Sequence, residues 1–100
     1  MQTEKQITGG HGEQIAAEHL LSKGYNILEK NWRISHWEVD LIASNEKYLV
    51  IVEVKTRKNT VMGDPEEFVT IQKQRNLIRA ANVYIQRSGI TKEVRFDIIS

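Results

Sequence analysis

Four apolar residues, Leu49-Val50-Ile51-Val52, follow one another without a polar break, and the run then turns charged at Glu53 and Lys55. A strand that is apolar on both parities sits centrally in its sheet and is covered on both faces, so a buried strand is predicted over residues 48–55. Upstream, Trp37, Val39, Leu41 and Ala43 alternate with Glu38, Asp40 and Ile42 at the period of another strand. Between the two, Ser44-Asn45-Glu46-Lys47 carries turn chemistry, which makes them an antiparallel hairpin. Residues 25–34 read as an extended segment with Leu28, Trp32 and Ile34 on one parity, joined to the next strand by Ser35-His36. Ala16, Ala17, Leu20 and Leu21 form the inward stripe of a helix over residues 11–23, with Glu13 on the same stripe and Gly24 at its end. A second helix is predicted over residues 66–86, entered at Pro65, with Ile71, Ile78, Ala81 and Ile85 facing the core and Ser88-Gly89 ending it. Val94, Phe96 and Ile98 alternate with Arg95 and Asp97 in a last strand. The order helix, three strands, helix, strand predicts a right-handed crossover between the third and fourth strands, giving an α/β fold with a mixed sheet flanked by helices.

A chain of 100 residues is expected to be one domain, with residues 1–10 as a flexible lead-in through Gly9-Gly10. Without cysteine there is neither a disulfide framework nor a thiolate zinc site, which fits a cytoplasmic home. No apolar run approaches the roughly 20 residues that span a bilayer, so no membrane partner is expected. The formal charge of +1 neither favours nor excludes a nucleic-acid partner. Its distribution says more: Lys55, Arg57 and Lys58 cluster after one strand, and Lys73, Arg75 and Arg79 lie along one helix.

Glu53 and Lys55, one residue apart on a strand, point to the same face, and the hairpin can bring Asp40 opposite them. Two carboxylates held together repel unless a cation lies between them, and hard oxygen donors of this kind suit Mg²⁺ or Mn²⁺. A lysine beside such an ion can orient a water or stabilise charge on a phosphate, the parts that phosphodiester hydrolysis needs.

Asp40 followed by Glu53-Val54-Lys55 resembles the signature of the PD-(D/E)XK nuclease superfamily. The blocks Gly12-Glu13, Asn31-Trp32-Arg33, Glu38-Val39-Asp40-Leu41-Ile42, Val52-Glu53-Val54-Lys55-Thr56-Arg57 and Arg95-Phe96-Asp97 together resemble the YraN-like family of small bacterial proteins. The resemblance implies a restriction-endonuclease-like fold, shared with archaeal Holliday-junction resolvases, and a nuclease or nucleic-acid role, with DNA as the expected partner. By motif position, Asp40 and Glu53 would hold the metal, Lys55 would act on the water or phosphate, Glu13 would be an accessory acid, and Lys73 would meet a phosphate, with Arg57 and Arg75 as further nucleic-acid contacts. Trp37 stands where that family commonly has glycine. The family pattern usually continues past the Arg95-Phe96-Asp97 strand, so part of a binding surface is expected to lie beyond Ser100.

Blander readings stand beside these. Asp40 and Glu53 also suit strand-edge ion pairs with Lys55 and Arg57, Glu13 suits a first-turn acid at the helix dipole, and Glu38, on the same parity as Asp40, suits either a further ligand beside the site or a pair with Arg33. Trp32 and Trp37 suit core packing as well as base stacking. His11, His19 and His36 have no zinc spacing, and Gly9–Gly12 lacks the ending of a P-loop. Three functions remain open: a metal-dependent endonuclease, a non-catalytic nucleic-acid-binding module, and an interaction subunit acting as a homodimer or with another protein.

Overall fold

The computed structural model describes residues 4–55 and 70–99, with side chains from residue 12 onward. Along the chain run α1 (Glu4–Ser22), β1 (Asn26–Ile34), β2 (Trp37–Ser44), β3 (Tyr48–Val54), α2 (Ile71–Ser88) and β4 (Glu93–Ile99). The strands form one sheet in the order β1-β2-β3-β4. The first two pairings are antiparallel and β3 with β4 is parallel. This is the mixed αβββαβ arrangement of the restriction-endonuclease-like fold. Among the described residues no helix is long and apolar enough to cross a membrane.

The apolar run of β3 is buried on both faces. Leu49 and Ile51 pack with Leu77, Ala80, Ala81 and Tyr84 of α2, while Val50 and Val52 pack with Ala16, Ala17 and Leu20 of α1. Alanines at the contact let each helix approach the sheet closely. The hairpin between β2 and β3 is built by Asn45, whose Oδ1 accepts the amides of Lys47 and Tyr48 at 2.9 and 2.7 Å.

Both helices depart from the sequence expectation. The first begins at Glu4, not near residue 11, and reads through Gly9, Gly10 and Gly12. Glycine in a helix costs about 1 kcal/mol relative to alanine but is sterically free to join it, and no proline stands before Pro65. It ends in a Schellman arrangement: Gly24 N–H donates to Leu21 O, Tyr25 N–H donates to Leu20 O, and Gly24 takes φ +91°. Leu21, expected on the inward stripe, is exposed, one residue and about 100° away from buried Leu20.

The second helix begins at Ile71, capped by Thr70, whose Oγ1 accepts Lys73 N–H at 3.1 Å; its expected start at residues 66–69 and Pro65 lie outside the described residues. Its core row is Leu77, Ala80, Ala81 and Tyr84. Ile71 is 67% exposed and Ile78 48% exposed, so the row drawn through them is corrected. The two rows share Ala81 and overlap at Ile85, which is partly buried against the same cluster. Packing against Trp32 decides between them, because its ring meets Tyr84 edge-on at 5.2 Å. Leu28 is also not a core residue; the β1–β2 register shifts between Ile27 and Glu29 and leaves it outside the ladder.

Candidate metal centre

The β2–β3 ladder runs from Ser44↔Leu49 to Leu41↔Val52 and goes no further, while the earlier part of β2 stays paired to β1 through Trp32↔Val39 and Ile34↔Trp37. The two strands part at Asp40. Side-chain alternation slips at the same place: Val39 packs with Ile42 on the α2 side, whereas Leu41 and Ala43 pack on the α1 side. The next β3 amide that would have faced β2 is that of Val54, and Asp40 Oδ2 accepts it at 2.8 Å. The carboxylate thus caps a broken ladder, satisfying a backbone donor that burial would otherwise leave unpaired. On the other side of β3, Lys55 N–H donates to Ile99 O at 2.8 Å, which fixes the strand end from β4.

Glu53 projects to the α2 side with only 8% of its side chain exposed. Lys73 Nζ lies 3.4 Å and Lys55 Nζ 3.8 Å from its Oε2, while its Oε1 is buried with no hydrogen-bond partner among the described residues. A buried carboxylate oxygen without a donor costs free energy that native structures seldom leave uncompensated. Burial pushes the Glu53 carboxyl above its usual range, and the Asp40 charge adds to this against the lowering effect of Lys73 and Lys55. Burial also raises Asp40, and the Glu38 charge adds to this against the lowering effect of the Val54 hydrogen bond, Lys73 and Lys55.

Glu13 of α1 belongs to the same electrostatic neighbourhood. Burial raises its pKa, an Asn31 side-chain hydrogen bond lowers it, and the charges of Asp40 and Glu38 raise it again. Asn31 is a site residue that sequence reasoning left without a role. Its backbone sits at φ +52°, a left-handed conformation that asparagine tolerates better than most residues. The available signal was an amide interrupting a strand.

The other candidates sort clearly. Glu38 pairs with Arg33 at 3.2 Å, and its charge raises the pKa of Asp40 and of Glu13. Lys73 meets Glu53, within the site, rather than standing apart as a surface cation. Arg75 is exposed about 200° further round α2, and the helix does not bring it to Glu53. Arg57 lies outside the described residues. Trp32, Ile34 and Trp37 pack against the α2-side cluster. Among the described residues an apolar cleft of about 230 Å³ lies between α2 and β4, lined mainly by Ile51, Leu77, Ile78, Phe96 and Ile98.

Among the described residues no three of His, Cys, Asp and Glu converge as a closed metal cage. Mg²⁺ does not require one, since it keeps several waters and is commonly held by one or two carboxylates. Asp40 and Glu53 are the right hard donors, and Glu53 Oε1 is an oxygen lacking a partner among the described residues; the residues fit such an ion.

The raised carboxyls have a consequence for stability. Between the ordinary carboxylate range and the raised native values, the folded protein binds protons that the unfolded chain has lost, so metal-free stability falls as pH rises through that interval. Asp40→Asn keeps an oxygen for the Val54 amide and removes the charge that opposes Glu53. Its melting temperature is expected to exceed that of the parent by a few degrees at neutral pH, with the gain shrinking toward acidic pH. Thermal melts across pH check this, and an equal or lower value at neutral pH would show that the charges are not in conflict.

Residues 12–100 match the uncharacterised protein family UPF0102. A UPF0102 protein of Phocaeicola vulgatus is 42% identical over 92 residues, covering 92% of this chain and 76% of that protein. One from Flavobacterium psychrophilum is 46% identical over 92% of this chain and 77% of its own length. One from Caldanaerobacter subterraneus subsp. tengcongensis is 46% identical over 95% and 79%. With a family match reaching from α1 to the end of the chain and relatives of this similarity, the protein belongs to the UPF0102 family.

Proposed function

We propose that the chain is a metal-dependent nuclease that hydrolyses phosphodiester bonds in DNA, with branched or otherwise structured DNA as the preferred form. The observation that carries this reading is the buried, unpartnered Oε1 of Glu53 beside Asp40, at the point where β2 and β3 part. Asp40 and Glu53 hold Mg²⁺ or Mn²⁺. When bound, such an ion lowers the pKa of an adjacent water and offsets charge developing on the phosphate. Lys55, held at the end of β3, orients the attacking water or stabilises that charge. Glu13 adds a second-line carboxylate from α1, its pKa raised by burial and by the charges of Asp40 and Glu38. The preference for branched DNA rests on the resemblance to junction resolvases alone.

One observation favours a non-catalytic nucleic-acid-binding module instead: Lys55 and Lys73 already neutralise Glu53. Calorimetric titration of Mn²⁺ into wild type and Asp40→Asn, beside cleavage assays on single-stranded, duplex and branched DNA, separates the two. Carboxylate-dependent heat accompanied by cleavage is expected. Heat without cleavage would leave a metal site without nuclease activity, and no heat would sink the metal reading.

A further inference from the structure

Lys73 does two incompatible things if it both neutralises Glu53 and meets a phosphate. Its ammonium lies 3.4 Å from Glu53 Oε2, engaged with the site's own carboxylate. We propose that Lys73 is a restrained phosphate anchor: a divalent cation taken up by Asp40 and Glu53 displaces its ammonium, and nucleic acid is gripped by Lys73 only after the metal has bound. This rests on the metal-site reading above and adds an order of binding to it.

The charges supply the driving force. Asp40 and Glu53 carry two negative charges, and Lys55 and Lys73 balance them in the metal-free protein. Glu13 and Glu38 add negative charge nearby, but a divalent cation on the same carboxylates would crowd directly against the two ammonium groups on Glu53 Oε2 within a partly buried space, where like charges repel more strongly than in water. The ammonium held less firmly gives way.

Lys73 is the one free to go. Lys55 is two residues from Glu53 on the same strand, its backbone is tied to Ile99, and its side chain is 24% exposed. Lys73 is 39% exposed and stands in the first turn of α2, where its four-carbon stem reaches solvent by rotation alone. Its backbone is held by the Thr70 cap, so the side chain can swing without disturbing the helix. That first turn contains no acidic residue, and a released ammonium there adds to the positive end of the helix dipole, on which a phosphate is stabilised.

The test measures binding, not turnover, with Ca²⁺ as a hard cation in place of Mg²⁺ and a fluorescein-labelled four-way DNA junction as the probe. Wild type, Lys73→Gln, Glu53→Gln and the double variant are titrated with and without Ca²⁺, after calorimetry has shown whether wild type takes up Ca²⁺. Lys73→Gln is expected to weaken DNA binding roughly tenfold with Ca²⁺ and to change it less than about twofold without. The slope of log K against log salt should fall by about one, again only with Ca²⁺. Glu53→Gln frees Lys73 without any metal, so it should bind the junction about tenfold more tightly than metal-free wild type, and the double variant should lose that gain. Ca²⁺ uptake with an equal Lys73→Gln penalty in both states would overturn the restraint and leave the metal site standing. Absence of Ca²⁺ uptake would overturn the metal site and the release together.

Discussion

Lys55→Ala is expected to lower Mg²⁺-dependent DNA cleavage by about 10²- to 10⁴-fold, the range over which one positioned acid–base or charge-stabilising group contributes, while Mn²⁺ binding survives. The two effects separate because Lys55 donates no oxygen to the ion. Its ammonium lies on the Glu53 carboxylate that would hold it, at 3.8 Å, and the strand end is fixed from β4 by the Lys55–Ile99 hydrogen bond, which alanine preserves. Loss of one of two lysines leaves Glu53 paired with Lys73, so the centre keeps a counter-charge. Cleavage rates and Mn²⁺ calorimetry on the same preparation decide it. A variant that cleaves within a fewfold of wild type would remove Lys55 from the chemistry, and loss of both properties together would make its role structural.

Ile51→Ala is expected to destabilise the fold by about 2–5 kcal/mol, the cost of emptying a buried aliphatic site that cannot collapse. Ile51 is 1% exposed and sits in the cluster formed with Leu49, Leu77, Ala80, Ala81 and Tyr84. Its neighbours Val50 and Val52 face the other layer and do not fill the space from below. In a domain of this size each kcal/mol moves the melting temperature by about 4–8 °C, so a drop of tens of degrees is within reach. Ile78→Ala serves as the comparison: half-exposed, it should cost under about 1 kcal/mol. Comparable losses for the two would mean that α2 packs through the Ile71–Ile78 row after all.

Much of this architecture is legible in the sequence because it is written in short-range patterns. The unbroken run Leu49–Val52 marks the central strand, the Ser44–Lys47 turn marks the hairpin, and the alternation around Phe96 marks the strand that closes the crossover. Glu53 and Lys55 stand out because charge at the end of a core strand requires a reason. The rotation of α2 was not legible: two overlapping apolar rows fit a helical period, and the choice belongs to Trp32 and Tyr84, which meet only in the folded sheet. The true position of Asp40 depends on where a ladder stops, and register alone cannot reveal that. Lys73 reaches Glu53 across the crossover, an internal contact that its motif position does not reveal.

The parallel pairing of β3 with β4 also sets the order in which this centre comes into being. The hairpins β1–β2 and β2–β3 close short loops at small entropic cost, whereas Tyr48↔Glu93 through Val54↔Ile99 must close the whole α2 excursion. A nascent chain released as far as β3 can pair Leu41 with Val52 and bring Asp40 near Glu53, yet it has neither Lys73 nor the Ile99 carbonyl. During synthesis the carboxylates and Lys55 are thus available before Lys73 arrives on α2, and the last strand then fixes the end of β3.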